Sequence, residues 1–153
     1  MSYRSGKFWQ PDVTVATVVA RDGRFLMVEE RVSGLNVYNQ PAGHLEPDES
    51  LCAAAARETL EETAWQVEIN AFIGAYQWKV PESGQHFLRL AFAAKALHHL
   101  PERTLDEGIV AAHWLSAEDI RALTSRHRSP LVWQTLQDYM NGQVHPLSAV
   151  QQL

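Results

Sequence analysis

A loop rich in glycine and proline runs directly into an alanine-rich helix, and this junction most limits the folds open to the chain. The stretch is Gly43 to Trp65, GHLEPDESLCAAAARETLEETAW. Asp48 and Ser50 both carry N-cap chemistry, and Ala53 to Ala56 is a run of the best helix former, so a helix is expected from about Ser50 to Thr63. Leu51, Cys52, Ala55, Ala56 and Leu60 recur at three- and four-residue spacing and supply a core-facing stripe. Glu58, Glu61 and Glu62 fall on one edge of that helix, because residues three and four apart are neighbours. Without a counter-charge they repel, by roughly 0.2–0.5 kcal/mol per adjacent like pair. An oxygen-only cluster of this kind suits a hard divalent cation, Mg²⁺ or in its place Mn²⁺, and Mg²⁺ usually binds together with substrate phosphates. Arg57 is expected to pair bidentately with Glu49 and so join the loop to the helix, leaving Glu49 as a brace.

The flanking sequence is largely strand-like. Val13 to Ala20 is β-branched and nearly apolar throughout, as in a strand covered on both faces. Asp22-Gly23 supplies turn chemistry before Arg24 to Glu30, so residues 13–30 read as a hairpin. Residues 31–48 form a loop with a short strand at Val37–Gln40. Gln66 to Lys79 reads as one or two strands bent near Gly74, and His86 to Leu97 completes a second hairpin. After a polar loop over residues 98–108, Ile109 to Leu115 gives a short strand. Ser116 then caps a short helix with an acidic first turn. Ser129 to Met140 is a final amphipathic helix, ended by Asn141-Gly142. The reading is one mixed α/β domain over residues 1–153, with residues 1–12 as a flexible tail.

Charge and composition narrow the function classes. The 153 residues carry 18 acids and 13 bases, a net charge of -5. No broad basic surface follows, which disfavours a nucleic-acid polymer as partner. The single cysteine, Cys52, excludes an intrachain disulfide and reads as a small thiol packed among alanines. No apolar run reaches the roughly 18 residues of a membrane span. The expected setting is the cytoplasm, with no membrane partner, as a monomer or homodimer.

The segment resembles the Nudix box, in which Gly43, Glu49, Arg57, Glu58, Glu61 and Glu62 stand at the required spacings of a loop–helix–loop. Beyond the box, VTVATVVA, FLMVEE, NQPAGHLEPDESL, HWLSAEDI and RSPLV resemble the bacterial NudJ-type branch of that family. Three positions depart from the pattern. Thr59 and Trp65 replace aliphatic residues, and Ala64 replaces the glycine that ends the helix. Thr59 is expected to pack through its methyl group. Alanine in a left-handed position costs roughly 1–2 kcal/mol without removing a ligand.

The resemblance implies an α/β/α sandwich around a mixed β-sheet and metal-dependent hydrolysis of pyrophosphate bonds. The substrates it implies are small molecules: nucleoside di- and triphosphates, and the pyrophosphate of the thiamine-precursor pyrimidine. Another nucleoside diphosphate derivative, or a non-catalytic nucleotide sensor, is the alternative. Glu58 and Glu62 are expected as the main metal ligands, Glu61 as a third, and the Ala42 carbonyl as a fourth. Gly43 lets the backbone approach the metal. The carboxylate that many relatives carry just before the strand at Ile109 is absent, since Gly108 stands there. The general base then falls to Glu107 first, to Asp106 second, or to a glutamate of the helix. Arg89 could hold a phosphate bidentately. Trp78 and Tyr76 share a strand face and could stack on a base, core packing being the better reading for at least one. Arg128-Ser129-Pro130 reads as a helix start, with a substrate contact as the lesser reading.

Overall fold

A computed structural model describes residues 8–153. Of the stretch read as a tail, residues 1–7 lie outside the described residues. Trp9 packs edge-on against His86, with ring centroids 4.8 Å apart, and Asp12 opens the first strand, β1 (Asp12–Arg21).

The β-branched segment forms β1 and is buried on both faces from Thr14 to Val19. Its company differs from the expected hairpin. Strand β2 (Arg24–Val32) meets β1 only at the tip, through Ala20↔Phe25 and Arg21↔Arg24. Along the rest of its length β1 lies parallel to β6 (His86–His99), from Asp12↔Phe87 to Val19↔Ala94. On its other side it takes β4 (Ala42–His44) as an antiparallel neighbour. The hairpin opens because β1 is central and buried from Thr14 to Val19, so the backbone groups on both of its edges need partners. The Pro41 carbonyl accepts the Thr17 N–H at 3.0 Å, which pins β4 in place.

The sheet runs in the order β3-β2-β1-β6-β5, with β4 on β1 and β7 on β2. Here β3 is Leu35–Asn39, β5 is Trp65–Lys79 and β7 is Ile109–Ser116. The β1–β6 pair is parallel and the others are antiparallel, so the sheet is mixed. Strand β5 is continuous and takes its bend through register shifts, the last beside Gly74.

Helix α1 (Leu51–Thr63) covers one face, where Ala54 and Ala55 pack with Val15 and Phe92. Helices α2 (Ala117–Ala122) and α3 (Leu131–Met140) cover the other, where Ile120, Val132 and Leu136 meet Val18, Ala91 and Ala93. The result is the α/β/α sandwich expected. Ser50 is the N-cap of α1, its Oγ accepting from the Ala53 N–H at 3.0 Å.

The buried stripe of α1 is rotated from the expected one. Ala54, Ala55, Thr59, Glu62 and Thr63 are buried, whereas Leu51, Cys52 and Leu60 are only partly so. The rotation follows from a side-chain pair. Thr59 Oγ1 lies 2.8 Å from Thr17 Oγ1 of β1 and donates to the Ala55 carbonyl at 2.8 Å. Thr59 therefore sits in the core through its hydroxyl as well as its methyl group. Ala64 closes the helix in the left-handed region, at φ 62°.

Candidate active site

Strand β4 and helix α1 come together so that Gly43 faces Glu58. A Cβ built on Gly43 would stand 2.1–2.3 Å from the Glu58 carboxyl atoms, so any other residue there would push that carboxyl out of its place. The backbone conformation at Gly43 is ordinary, and close approach alone demands the glycine.

Arg57 organises the acids around this contact. Its Nε and Nη2 donate to Glu49 Oε2 and Oε1 at 3.0 and 2.7 Å, the two-pronged geometry expected. Nη2 also donates to the His44 carbonyl at 3.0 Å, and Nη1 to Glu58 Oε1 at 2.8 Å and Glu61 Oε2 at 3.2 Å. Arg57 thus braces the loop and also holds two of the three helix carboxylates. The Glu49 carboxyl is kept below its ordinary range by these bonds.

Glu62 is the most deeply buried of the set. Its Oε1 accepts the Ala42 N–H at 2.7 Å. Burial, with Glu30, Glu58 and Asp106 nearby, pushes its carboxyl up to about 8 despite that bond. The Glu58 carboxyl is also raised, chiefly by burial and against the pull of Arg57. Neighbouring carboxylates add to both shifts, and a cation placed among them would relieve that repulsion. The Ala42 N–H anchors Glu62, a contact additional to the carbonyl role that the resemblance implies.

The loop after β6 supplies a further acid. Glu58, Glu61 and Asp106 each offer an oxygen such that all lie within 4.8 Å of one another. The Asp106 N–H donates to the Glu61 carbonyl at 3.0 Å and its carbonyl accepts the Ile109 N–H at 3.1 Å, which folds the loop inward at this residue. Glu107, the first choice for the base, is exposed like Asp106 but lies outside the cluster. Longer reach counts for less than the backbone bond that docks its neighbour on α1.

The donor set is all oxygen and suits a hard divalent ion. Glu58, Glu61 and Asp106 converge, Glu62 is buried beside them, and Gly43 leaves the room that a Cβ would fill. The residues present therefore fit such an ion.

A cleft of about 230 Å³ opens beside Ala42 and Gly43 and crosses β1 at Thr14. Trp78 and Phe87 line its β5–β6 side, stacked at 6.2 Å with planes 16° apart. Arg89 lies in its wall but is almost wholly buried, with Nη2 donating to Asn39 Oδ1 at 2.9 Å and Nη1 to Gln40 Oε1 at 3.0 Å. Burial lowers its pKa to about 10, so it stays charged at neutral pH, and its Nε has no protein partner. The bidentate phosphate contact expected of Arg89 is limited by these two amides, which leave it as a fixed positive charge beneath the cleft. Tyr76 is excluded from the cleft wall, since its hydroxyl donates to Asp138 Oδ2 of α3 at 2.8 Å and its ring packs in the core.

Phe87, Asn39, Gln40 and Glu30 belong to this region without a signal in the sequence, and Arg128 lines it, in line with the lesser reading of that segment. The parallel register Asp12↔Phe87 and Thr14↔Arg89 sets the cleft side of β6. Nothing local in the sequence reveals a pairing between segments 75 residues apart.

With this geometry in view, comparison with known proteins gives a consistent answer. The NUDIX domain family matches residues 9–134. Phosphatase NudJ of Escherichia coli strain K12 is 44% identical over 142 residues, covering 93% of this chain and 92% of its own. The protein of the same name from Shigella flexneri matches equally. A NUDIX hydrolase from Nitrosomonas europaea superposes with a TM-score of 0.92 at 43% identity, covering 94% of this chain and 98% of its own. The NUDIX domain of Shewanella oneidensis NrtR, solved with ADP ribose, shares the fold at a TM-score of 0.71 and 16% identity, over 92% of this chain and 94% of its own. Glycine against carboxylate, the Arg57 hub and similarity over nearly the whole length agree, and the chain belongs to the Nudix hydrolases, enzymes acting on acid anhydrides in phosphorus-containing compounds.

Proposed function

We propose that this enzyme, one domain throughout, uses Mg²⁺, or Mn²⁺ as a substitute, to cleave phosphoanhydride bonds of nucleoside di- and triphosphates, with the pyrimidine pyrophosphate of thiamine synthesis as a further substrate. The observation that carries the reading is the convergence of Glu58, Glu61 and Asp106 within 4.8 Å, beside a glycine whose missing side chain lets the Glu58 carboxyl lie against the backbone. Similarity to proteins named as phosphatases supports orthophosphate as a product.

Glu58, Glu61 and Glu62 would hold the ion, with the Ala42 carbonyl in reach of the same place. When bound, the ion neutralises phosphate charge and acidifies a water. Arg57 fixes the helix carboxylates by its bonds to Glu58 and Glu61 and keeps Glu49 as the brace of the loop. Asp106 takes the proton of the attacking water on a carboxylate oxygen as the new O–P bond forms and the bridging P–O bond breaks. The leaving phosphate departs as an anion, and Arg89 contributes fixed positive charge beneath the cleft. Trp78 and Phe87 offer an apolar wall for the organic part of the substrate.

The test is hydrolysis by purified protein of nucleotides, nucleoside diphosphate sugars and thiamine-pathway pyrophosphates, with products resolved. The expected result is orthophosphate release from nucleoside di- and triphosphates, and Glu62→Gln should lower kcat by about 10²-fold or more. Exclusive turnover of nucleoside diphosphate sugars would replace this substrate class with its alternative. Tight nucleotide binding without turnover would favour a sensor, although every box carboxylate is present.

A further inference from the structure

We propose that Arg128 is the specificity-determining residue that recognises a free terminal phosphate, and so selects uncapped diphosphate ends over sugar-capped diphosphates. The proposal rests on the phosphohydrolase reading above. The sheet order places β1 between two flanks of the cleft. Trp78 and Phe87 occupy the β5–β6 flank, Gly43 stands on β4 beside β1 with the Glu58 carboxyl against it, and Arg128 with Glu30 occupies the β2–β3 flank. A substrate with its ring on the aromatic wall and its anhydride at Gly43 directs its far phosphate towards Arg128.

The local structure suits that task. The Arg128 N–H donates to the Tyr38 carbonyl of β3 at 2.8 Å, and the adjoining His127 bridges to Tyr38, so the backbone is fixed. The side chain is 43% exposed and opens on the cleft. Its one side-chain acceptor among the described residues is Glu30, reached by Nη1 at 3.2 Å. The rest of the guanidinium fork is therefore available to an oxyanion, a geometry that matches a phosphate with two parallel N–H donors. Arg89, the other cleft arginine, is committed to Asn39 and Gln40 and barely reaches solvent. A terminal phosphate carries more charge and more free oxygens than an internal phosphodiester, so Arg128 gains most on the uncapped end.

The experiment compares wild type, Arg128→Ala and Arg128→Lys on a nucleoside diphosphate and on the sugar ester of the same diphosphate. Inorganic phosphate binding is measured in parallel by calorimetry. Arg128→Ala should raise KM for the nucleoside diphosphate about tenfold or more, the effect of a charged hydrogen-bonded contact. The KM for the sugar ester should change less than threefold, and phosphate affinity should fall by about the same tenfold factor. Arg128→Lys, which keeps the charge and loses the fork, should fall between. Equal KM shifts on both substrates, or unchanged phosphate affinity, would overturn the proposal. If wild type hydrolyses neither substrate, the phosphohydrolase reading fails. Phosphate affinity then decides alone, and wild type binding no more tightly than Arg128→Ala overturns it. Melting curves confirm that both variants fold, and should the alanine form not fold, Arg128→Lys decides by the same readouts.

Discussion

Thr59 occupies an aliphatic position of its family's box, and its hydroxyl makes the substitution tolerable in a fully buried site. Because it already donates to the Ala55 carbonyl, the partner hydroxyl of Thr17 must donate to it. The two threonines are therefore unequal. Thr59→Val orphans a buried donor on Thr17 and should cost about 1–3 kcal/mol, whereas Thr17→Val leaves the Thr59 donation intact and should cost less. The double valine variant should be more stable than Thr59→Val alone, and denaturant melts of the three variants measure this. Additive losses would show that the hydroxyls are not coupled. Asp106 and Glu107 make a second contrast between neighbours. Asp106→Asn should lower kcat by about 10²-fold, while Glu107→Gln stays within a few-fold of wild type. The reverse order would return the base to Glu107.

Helix α1 ends on Ala64 with φ at 62°, a backbone that alanine adopts at a cost. Ala64→Gly relieves that strain while loosening the unfolded chain, and should leave a net gain of about 0.5–1 kcal/mol in thermal melts. A loss would mean that burial of the Ala64 methyl group outweighs the strain. At the other end of the sheet, Asp12 joins three elements by accepting from Gln85 Nε2 at 2.9 Å and lying 3.1 Å from His44 Nε2. These bonds, Gln85 first, hold its carboxyl below the ordinary value of 3.8. A depressed folded-state pKa gives stability that is present above about pH 4 and is lost as pH falls through the lower folded value. Asp12→Asn should therefore melt below wild type at neutral pH, by no more than about 1 kcal/mol for so exposed a pair. The difference should shrink below pH 4, and one that persists unchanged into acid would mean that the carboxylate charge is not the source. Trp65, another departure from the box, is explained at this scale. Its ring stacks on His99 at 4.8 Å and meets Trp114 edge-on, with the Arg21 guanidinium 5.0 Å away, so it closes the sheet's end where an aliphatic residue would leave those rings bare.

Over the whole molecule, the features legible in the sequence were those set by local spacing. Helix α1, its Ser50 cap, the Arg57–Glu49 fork and the carboxylate edge all depend on residues within twenty positions of one another. The features that were not legible depend on distant pairing. The β1–β2 hairpin opened because β6 took the edge of β1, Arg89 was drawn inward by Asn39 and Gln40, and a backbone bond to Glu61 set Asp106 beside the helix carboxylates. The same long-range pairing sets the aromatic wall and Arg128 along one cleft, and Gly43 joins that cleft to the acids through its contact with Glu58. The most direct test is orthophosphate release from a nucleoside diphosphate by the purified protein, first with Mg²⁺, then with excess chelator, then with Mg²⁺ restored. The account predicts turnover that stops with chelator and returns with the ion, while circular dichroism shows the fold unchanged throughout. Undiminished turnover in excess chelator would contradict it.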